Sequence, residues 1–274
     1  MALRIYKKTT PGRRLASGLD RSHLTKNKKQ KSLSFIKKQR SGRNNDGRVT
    51  VRHQGGHHKQ FYRVIDWKRN KKNMPGKVVS IEYDPNRTAD IALIQYSDGV
   101  KSYILSPEGL TVGQFVQSGE MAPVTLGNAL PLKAIPSGTL IHNIEILAGR
   151  GAQMVRGAGN SAIISGFEDK HALVKLPSGE IRRFDPECLA TIGQLGNADW
   201  KNVNFGKAGR SRHLGIRPTV RGTAQNPHSH PHGGGEGRSG EGMHPKTPWG
   251  KPARGNRTRS RKHYSNKLII SRRK

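Results

Sequence analysis

Positive charge in this chain is confined to its two ends, and that segregation limits what can fold around what. Residues 1–73 carry 22 Lys and Arg against 3 acids, residues 74–200 carry 10 against 13, and residues 201–274 carry 18 against 2. The three segments therefore stand at +19, −3 and +16 within a total of +32. Like charge at that density repels itself unless a polyanion neutralises it, which makes nucleic acid the first partner to suspect.

Apolar content divides at the same places. Ile, Leu, Val and Phe make up 35 of the 127 residues in the middle and 21 of the 147 in the two ends. The middle can bury enough to fold by itself, whereas most of the ends cannot offset chain entropy and are expected to order on a partner. The chain reads as a globular body with two polycationic arms.

The body reads as strands. "KVVSIEYDPNRTADIALIQYSDGVKSYIL" predicts short strands at about 77–83, 90–96 and 100–105, parted by Asp84-Pro85-Asn86 and Ser97-Asp98-Gly99, both turn formers. "TLIHNIEIL" at 139–147 predicts another. Further strands are expected near 161–166, 171–176 and 180–184, with Pro177-Ser178-Gly179 as a hairpin turn, and "LATIGQLG" supplies one more. Many short strands without a long amphipathic helix predict a mainly β fold of two small antiparallel barrels, with a seam near 125–130. Periodicity alone does not separate two barrels from one sandwich.

Several motifs invite other readings. "GAGNSA" at 157–162 fits the loose dinucleotide pattern, but neither a full strand before it nor helical periodicity after it is present, so its glycines are expected to serve turns or close backbone approach. The single cysteine, Cys188, excludes an internal disulfide and is expected to fill a strand. No stretch approaches the roughly 20 apolar residues of a bilayer span, and the start, "MALRIYKKTTPGRRL", lacks the features of a secretory signal; a cytosolic protein without membrane association is expected.

The stretch "NPHSHPHGGGEGR" at 226–238 sets His228, His230 and His232 on alternate positions before three glycines. A zinc site would need ligands from other strands and a supporting shell, and only Glu236 and Glu241 are acidic nearby, so no metal site is expected. A metal-dependent hydrolase stays a rival reading, separable by zinc content, and a DNA compactor is a third. The favoured reading is contact with RNA: Gly233, Gly234 and Gly235 let backbone N–H groups approach phosphates, imidazoles stack or donate, and Arg238 offers a bidentate fork.

Residues 41–72 have the same character. They interleave Arg43, Arg48, Arg52, Arg63 and Arg69 with His53, Gly55-Gly56, His57, His58 and the aromatics Phe61, Tyr62 and Trp67, a mixture suited to irregular folded RNA. Lys59 and Lys68 extend that set. In the C-terminal arm Arg210, Arg212, Arg217, Arg221, His230, His232, Gly233, Gly234, Gly235, Glu236, Arg238, Arg254 and Arg257 are the expected RNA-binding residues. Glu236 is expected to pair with an arginine or an RNA-bound Mg²⁺, the only cofactor role foreseen. No catalytic residue is expected.

The stretches "LRIYKKTTPGRR", "GRNNDGRVTVRHQGGHHKQFYRVIDWKRNK", "IEYDPNRTADIALI", "GNALPL", "LPSGEIR", "VRGTAQNPHSHPHGGGEGR" and "TPWGKPARGNRTR" resemble, nearly end to end, the universal protein two family of the large ribosomal subunit in its bacterial form. The resemblance implies an OB-fold barrel at 61–125 and an SH3-like barrel at 126–200, flanked by basic extensions at 1–60 and 201–274. It implies binding to large-subunit (23S-type) rRNA near the peptidyl-transferase centre in a cytoplasmic ribosome. It also implies neighbouring ribosomal proteins and the small subunit as partners, and no independent homo-oligomer. It marks His230 as functionally important within an RNA-bound loop, while peptide-bond chemistry belongs to RNA. The sequence departs from the family pattern at His228 and Ser229, where a hydrophobic residue and an acid are usual, and at His57, where a third glycine is usual.

Overall fold

The computed structural model describes residues 3–25 and 29–273; residues 26–28, within the expected N-terminal extension, and the outermost residues at each end lie outside the described set. The described chain divides into two compact units. One comprises Lys59–Arg210 with the segments up to Lys38 and from Lys267 onward, and the other comprises Gln39–His58 with Ser211–Asn266.

In the first unit, β1 (Leu3–Ile5) and β2 (Ser17–Leu19) pair antiparallel around a single helical turn, α1 (Pro11–Arg14), which starts with proline where its missing N–H costs nothing. Ser17 exchanges hydrogen bonds with Asn204, and Arg4, Arg13 and Arg210 surround the Tyr6 ring at 5.6–5.8 Å. The strands β3 (Ser34–Ile36) and β4 (Phe61–Arg63) form a second small ladder.

The first large sheet contains β5 (Gly76–Glu82), β6 (Ile91–Tyr96), β7 (Lys101–Leu105) and β8 (Phe115–Val116) in the order β7-β6-β5-β8. Its turns follow from their side chains: Asp84 accepts the Asn86 N–H at 2.9 Å, and Asp98 accepts the Val100 N–H at 3.1 Å. Strand β6 is buried on both faces. Ala92 and Ile94 pack with Val78, Ile81 and Val116, while Ile91 and Leu93 pack with Ile65, Tyr103 and Leu195. Burial on both faces explains why "IALI" is a continuous apolar run and not an alternation.

The second sheet is formed by β9 (Ala129–Pro131), β10 (Leu140–His142), β13 (Ala162–Glu168), β14 (His171–Lys175), β15 (Ile181–Phe184), β16 (Leu189–Ile192) and β17 (Ile269–Ser271), in the order β17-β15-β14-β13-β10-β16-β9. A separate pair joins β11 (Ile144–Glu145) to β12 (Ala152–Met154). The run expected as one strand at 139–147 is split because Asn143 adopts φ 54° between β10 and β11. Leu130, Leu132, Ile141, Ile144, Ile164, Val174 and Cys188 fill the core of this sheet. The last strand comes from the segment read as a C-terminal arm, so the chain end returns to the second sheet.

The sequence reading of Cys188 as buried holds, but it sits in the bend just before β16 and not in a strand; the reading of "GAGNSA" as close backbone approach gains a physical basis. Cys188 is wholly buried, and burial pushes its thiol up to about 12, outside the range of a nucleophile at neutral pH. In "GAGNSA" the chain runs on into strand β13, and Gly159 has φ 67° with its Cα side facing Ala198, where a β-carbon would lie 2.5 Å from the Ala198 Cα. That glycine serves close backbone approach.

Candidate nucleic-acid interface

The second unit is assembled from the two basic ends. Its residues include 15 Lys and Arg against 3 acids, and 9 of the 12 histidines of the chain. Its buried residues are Gly55, Gly215, His230, His232 and Ser265, so no apolar side chain forms a core among them. Hydrogen bonds hold it together.

The stretch "GRNNDGRV" folds back on itself because Asn44 is bonded as a turn residue. Its Oδ1 accepts the N–H groups of Asp46 at 3.1 Å and Arg48 at 2.9 Å, and its own N–H donates to the Arg48 carbonyl at 3.0 Å. Arg43 and Val49 pair across the turn. Downstream, residues 53–58 pair with 213–217 from the other end of the chain. Gly55 N–H donates to Gly215 O at 2.7 Å, His58 N–H to His213 O at 3.0 Å, and Arg217 N–H to His53 O at 3.0 Å. Arg212 adds a guanidinium bond to Gly55 O at 3.3 Å.

These two connections bring expected site residues from opposite ends of the chain into one place. Arg43, Arg52, His53 and Arg217 line a pocket of about 360 Å³ together with Val49, Val51 and the Gly55-Gly56 backbone. Three arginines line one concavity beside Val49 and Val51, a composition suited to anionic oxygen. The non-glycine residue at position 57 is accommodated there: the His57 Cβ faces Gly215, which offers no side chain to meet it.

The histidine-glycine loop closes on itself. The His230 and His232 rings stack with centroids 5.4 Å apart and planes at 28°, and both side chains are buried. His230 Nδ1 accepts the His232 N–H at 3.1 Å, and His232 Nε2 accepts the Lys246 N–H at 2.7 Å. Because Nε2 of His232 is an acceptor, its proton sits on Nδ1, which donates to Glu241 O at 3.2 Å. The glycines act differently from the sequence expectation. Gly233 N–H donates to His230 O at 2.9 Å and Gly234 N–H to Gln225 O at 3.0 Å, so these two donors are spent within the loop. A β-carbon at Gly233 would lie 2.3 Å from Asn226 O. His228, Gly235, Glu236 and Arg238 are exposed beside this closed core.

The remaining expected residues differ in placement. Arg48, Arg221, Arg254 and Arg257 in the second unit are exposed, as are Lys59 and Lys68 in the first. Arg63 is half-buried and lies 3.9 Å from the Asp84 carboxylate. Arg210 donates to Ser17 O at 3.0 Å and Phe205 O at 3.3 Å, a structural use of its fork. Arg69, expected among the RNA-binding residues, is placed differently: it is 4% exposed, and its guanidinium faces the carbonyls of Gln117 and Gly127 at 3.5 Å. Burial lowers its pKa, opposed by Tyr96 and Asp66.

A second cluster lies in the first unit and was not singled out from sequence. Arg87 and Arg156 place their guanidiniums 5.6 and 4.7 Å from the Trp67 ring centroid, and Arg87 is held by Asp84 at 2.6 Å. Trp67 carried a signal as an aromatic among cations, but its partners lie 20 and 89 positions away, beyond any local pattern.

Two family descriptions match the chain, "Ribosomal Proteins L2, RNA binding N-terminal domain" over residues 30–118 and "Ribosomal Proteins L2, C-terminal domain" over residues 125–250. The chain belongs to the ribosomal protein L2 family. As an L2 protein it is a structural constituent of the large ribosomal subunit that binds rRNA, and its mainly β body is an OB-fold barrel followed by an SH3-like barrel. The arginine pocket draws on both matched regions of this L2 chain, Arg43, Arg52 and His53 from the first and Arg217 from the second. No helix among the described residues is long and apolar enough to cross a membrane.

Proposed function

We propose that this protein is an L2 of bacterial type that binds 23S-type rRNA near the peptidyl-transferase centre, and that it supports subunit association and peptide-bond formation without carrying the chemistry. Residues 61–125 and 126–200 serve as the OB-fold and SH3-like barrels, and the flanking extensions 1–60 and 201–274 supply most RNA contacts. Neighbouring ribosomal proteins and the small subunit are its other partners, in a cytoplasmic ribosome.

The observation that carries this reading is the meeting of Arg43, Arg52, His53 and Arg217, drawn from both ends of the chain, in one cationic pocket. Exposed Arg48, Arg221, Arg238, Arg254 and Arg257 extend the contact to phosphates, and Lys59 and Lys68 add to it from the first unit. Glu236 pairs with an arginine or with Mg²⁺ carried by the RNA. His230 and His232 hold the loop in shape through hydrogen bonds at three of their four ring nitrogens, which supports a positioning role.

Sucrose-gradient fractionation of lysate, with immunoblotting in low and in high salt, tests the assignment. The expected result is migration with the large subunit in both conditions. Migration as free protein throughout would overturn it.

A further inference from the structure

We infer that the pocket lined by Arg43, Arg52, His53 and Arg217 captures one unstacked nucleotide, its phosphate on the guanidiniums and its base against Val49, Val51 and the His53 ring. The inference rests on the RNA-binding reading and deepens it by naming what occupies the site.

Three features separate this pocket from a general phosphate surface. The first is shape. A volume of about 360 Å³ falls within the range of roughly 300–1,000 Å³ typical of small-molecule pockets. A duplex presents its phosphates on a ridge and its bases inward, and so has nothing to insert into such a hollow, whereas a splayed nucleotide does.

The second feature is the apolar wall. Val49 and Val51 are 56% and 53% exposed, in a unit that buries no apolar side chain. Phosphate recognition has no use for them, but the face of a base does. Their placement follows from the Asn44 turn and from the Thr50 and Val51 N–H groups, which donate to Gly42 O at 2.9 and 3.0 Å.

The third feature is His53 itself. It adopts φ 60°, a left-handed conformation uncommon outside glycine, and its carbonyl is fixed by the Arg217 N–H at 3.0 Å. A residue held in a costly conformation by its surroundings is a frequent mark of a binding site. The same bond ties the stacking ring to the arginine backbone, so the base and phosphate halves of the pocket form together.

Titration of the full chain with adenosine 5′-monophosphate and, separately, with inorganic phosphate tests the inference, read on the valine methyl NMR signals. The nucleotide should shift Val49 and Val51 and bind about tenfold more tightly than phosphate, because stacking adds to the ionic contact. Arg217→Ala and Val51→Asp should each abolish the shift at Val49. Equal affinity for phosphate and nucleotide, or unmoved methyl signals up to the solubility limit, would overturn the inference. Binding of large-subunit rRNA by the same preparation is measured alongside: retained rRNA binding with unmoved methyls sinks the nucleotide pocket alone, and absent rRNA binding sinks the reading beneath it.

Discussion

The ring of His232 stacks on that of His230, and the backbone N–H of His232 donates to Nδ1 of its neighbour, so each histidine orients the other. His232 also bridges to Glu241 O and the Lys246 N–H, contacts that reach 14 residues along the chain. His230 is buried within the loop and lies outside the arginine pocket, so His230→Ala is expected to leave rRNA affinity of the free protein nearly intact, although the His232 N–H loses its acceptor. His232→Ala should open the loop, because it leaves two backbone groups without partners at about 1 kcal/mol each. Hydrogen exchange at the Lys246 amide checks this; equal protection in both variants would contradict it.

Gly233→Ala should disturb the loop far more than Gly240→Ala. The first would drive a β-carbon against the Asn226 carbonyl, whereas nothing lies within 4 Å of the second. Backbone must move in one case and not in the other, and amide NMR shifts across 222–241 would show whether it does.

The placement of the arginines predicts a split in salt dependence. Removing an exposed fork proposed to bind phosphate, as in Arg52→Ala, should lower the log–log salt slope of RNA binding by roughly 0.7–0.9. Arg210→Ala should leave that slope unchanged and lower thermal stability, because its Nη1 donates to both the Ser17 and Phe205 carbonyls and so ties the fold. Filter binding across a salt series, with a melting curve for each variant, separates the two. A slope change for Arg210→Ala would refute the assignment.

Acid should act through His142. Its ring is buried, Nδ1 bonds to Gly193 O at 2.7 Å, and burial lowers its pKa from 6.5 to about 4. A depressed folded-state pKa gives stability that is present above pH 6.5 and lost as pH falls toward 4, up to about 3 kcal/mol. His142→Asn, which can keep a donor near Gly193 O, should flatten that part of the stability curve in denaturant titrations. An unchanged slope would exclude His142 as the cause.

Sequence made β5 to β7 legible because their turns carry Asp84 and Asp98 and because their apolar runs have strand length. The short strands β8, β9 and β17 left no such mark, since two or three residues become a strand only when a distant partner supplies the ladder. The candidate site divides in the same way. That Arg43, Arg52 and Arg217 are cations suited to an anion was readable from composition, but their convergence depends on the Gly55–Gly215 pairing, which no local pattern records. Arg69 looks like its neighbour Lys68 in sequence; carbonyls from Gln117 and Gly127 decide that it turns inward.

The second unit also sets an order of events in synthesis. Residues 39–58 are made first, and their partners at 211–217 follow only after the whole of Lys59–Arg210. At about 5–20 residues per second the early half waits roughly 8–30 s for its complement. Throughout that interval the Arg43 and Arg52 side of the pocket is made without Arg217, so a nascent chain carries half of that concavity and gains the other half only after the whole intervening body has been synthesised.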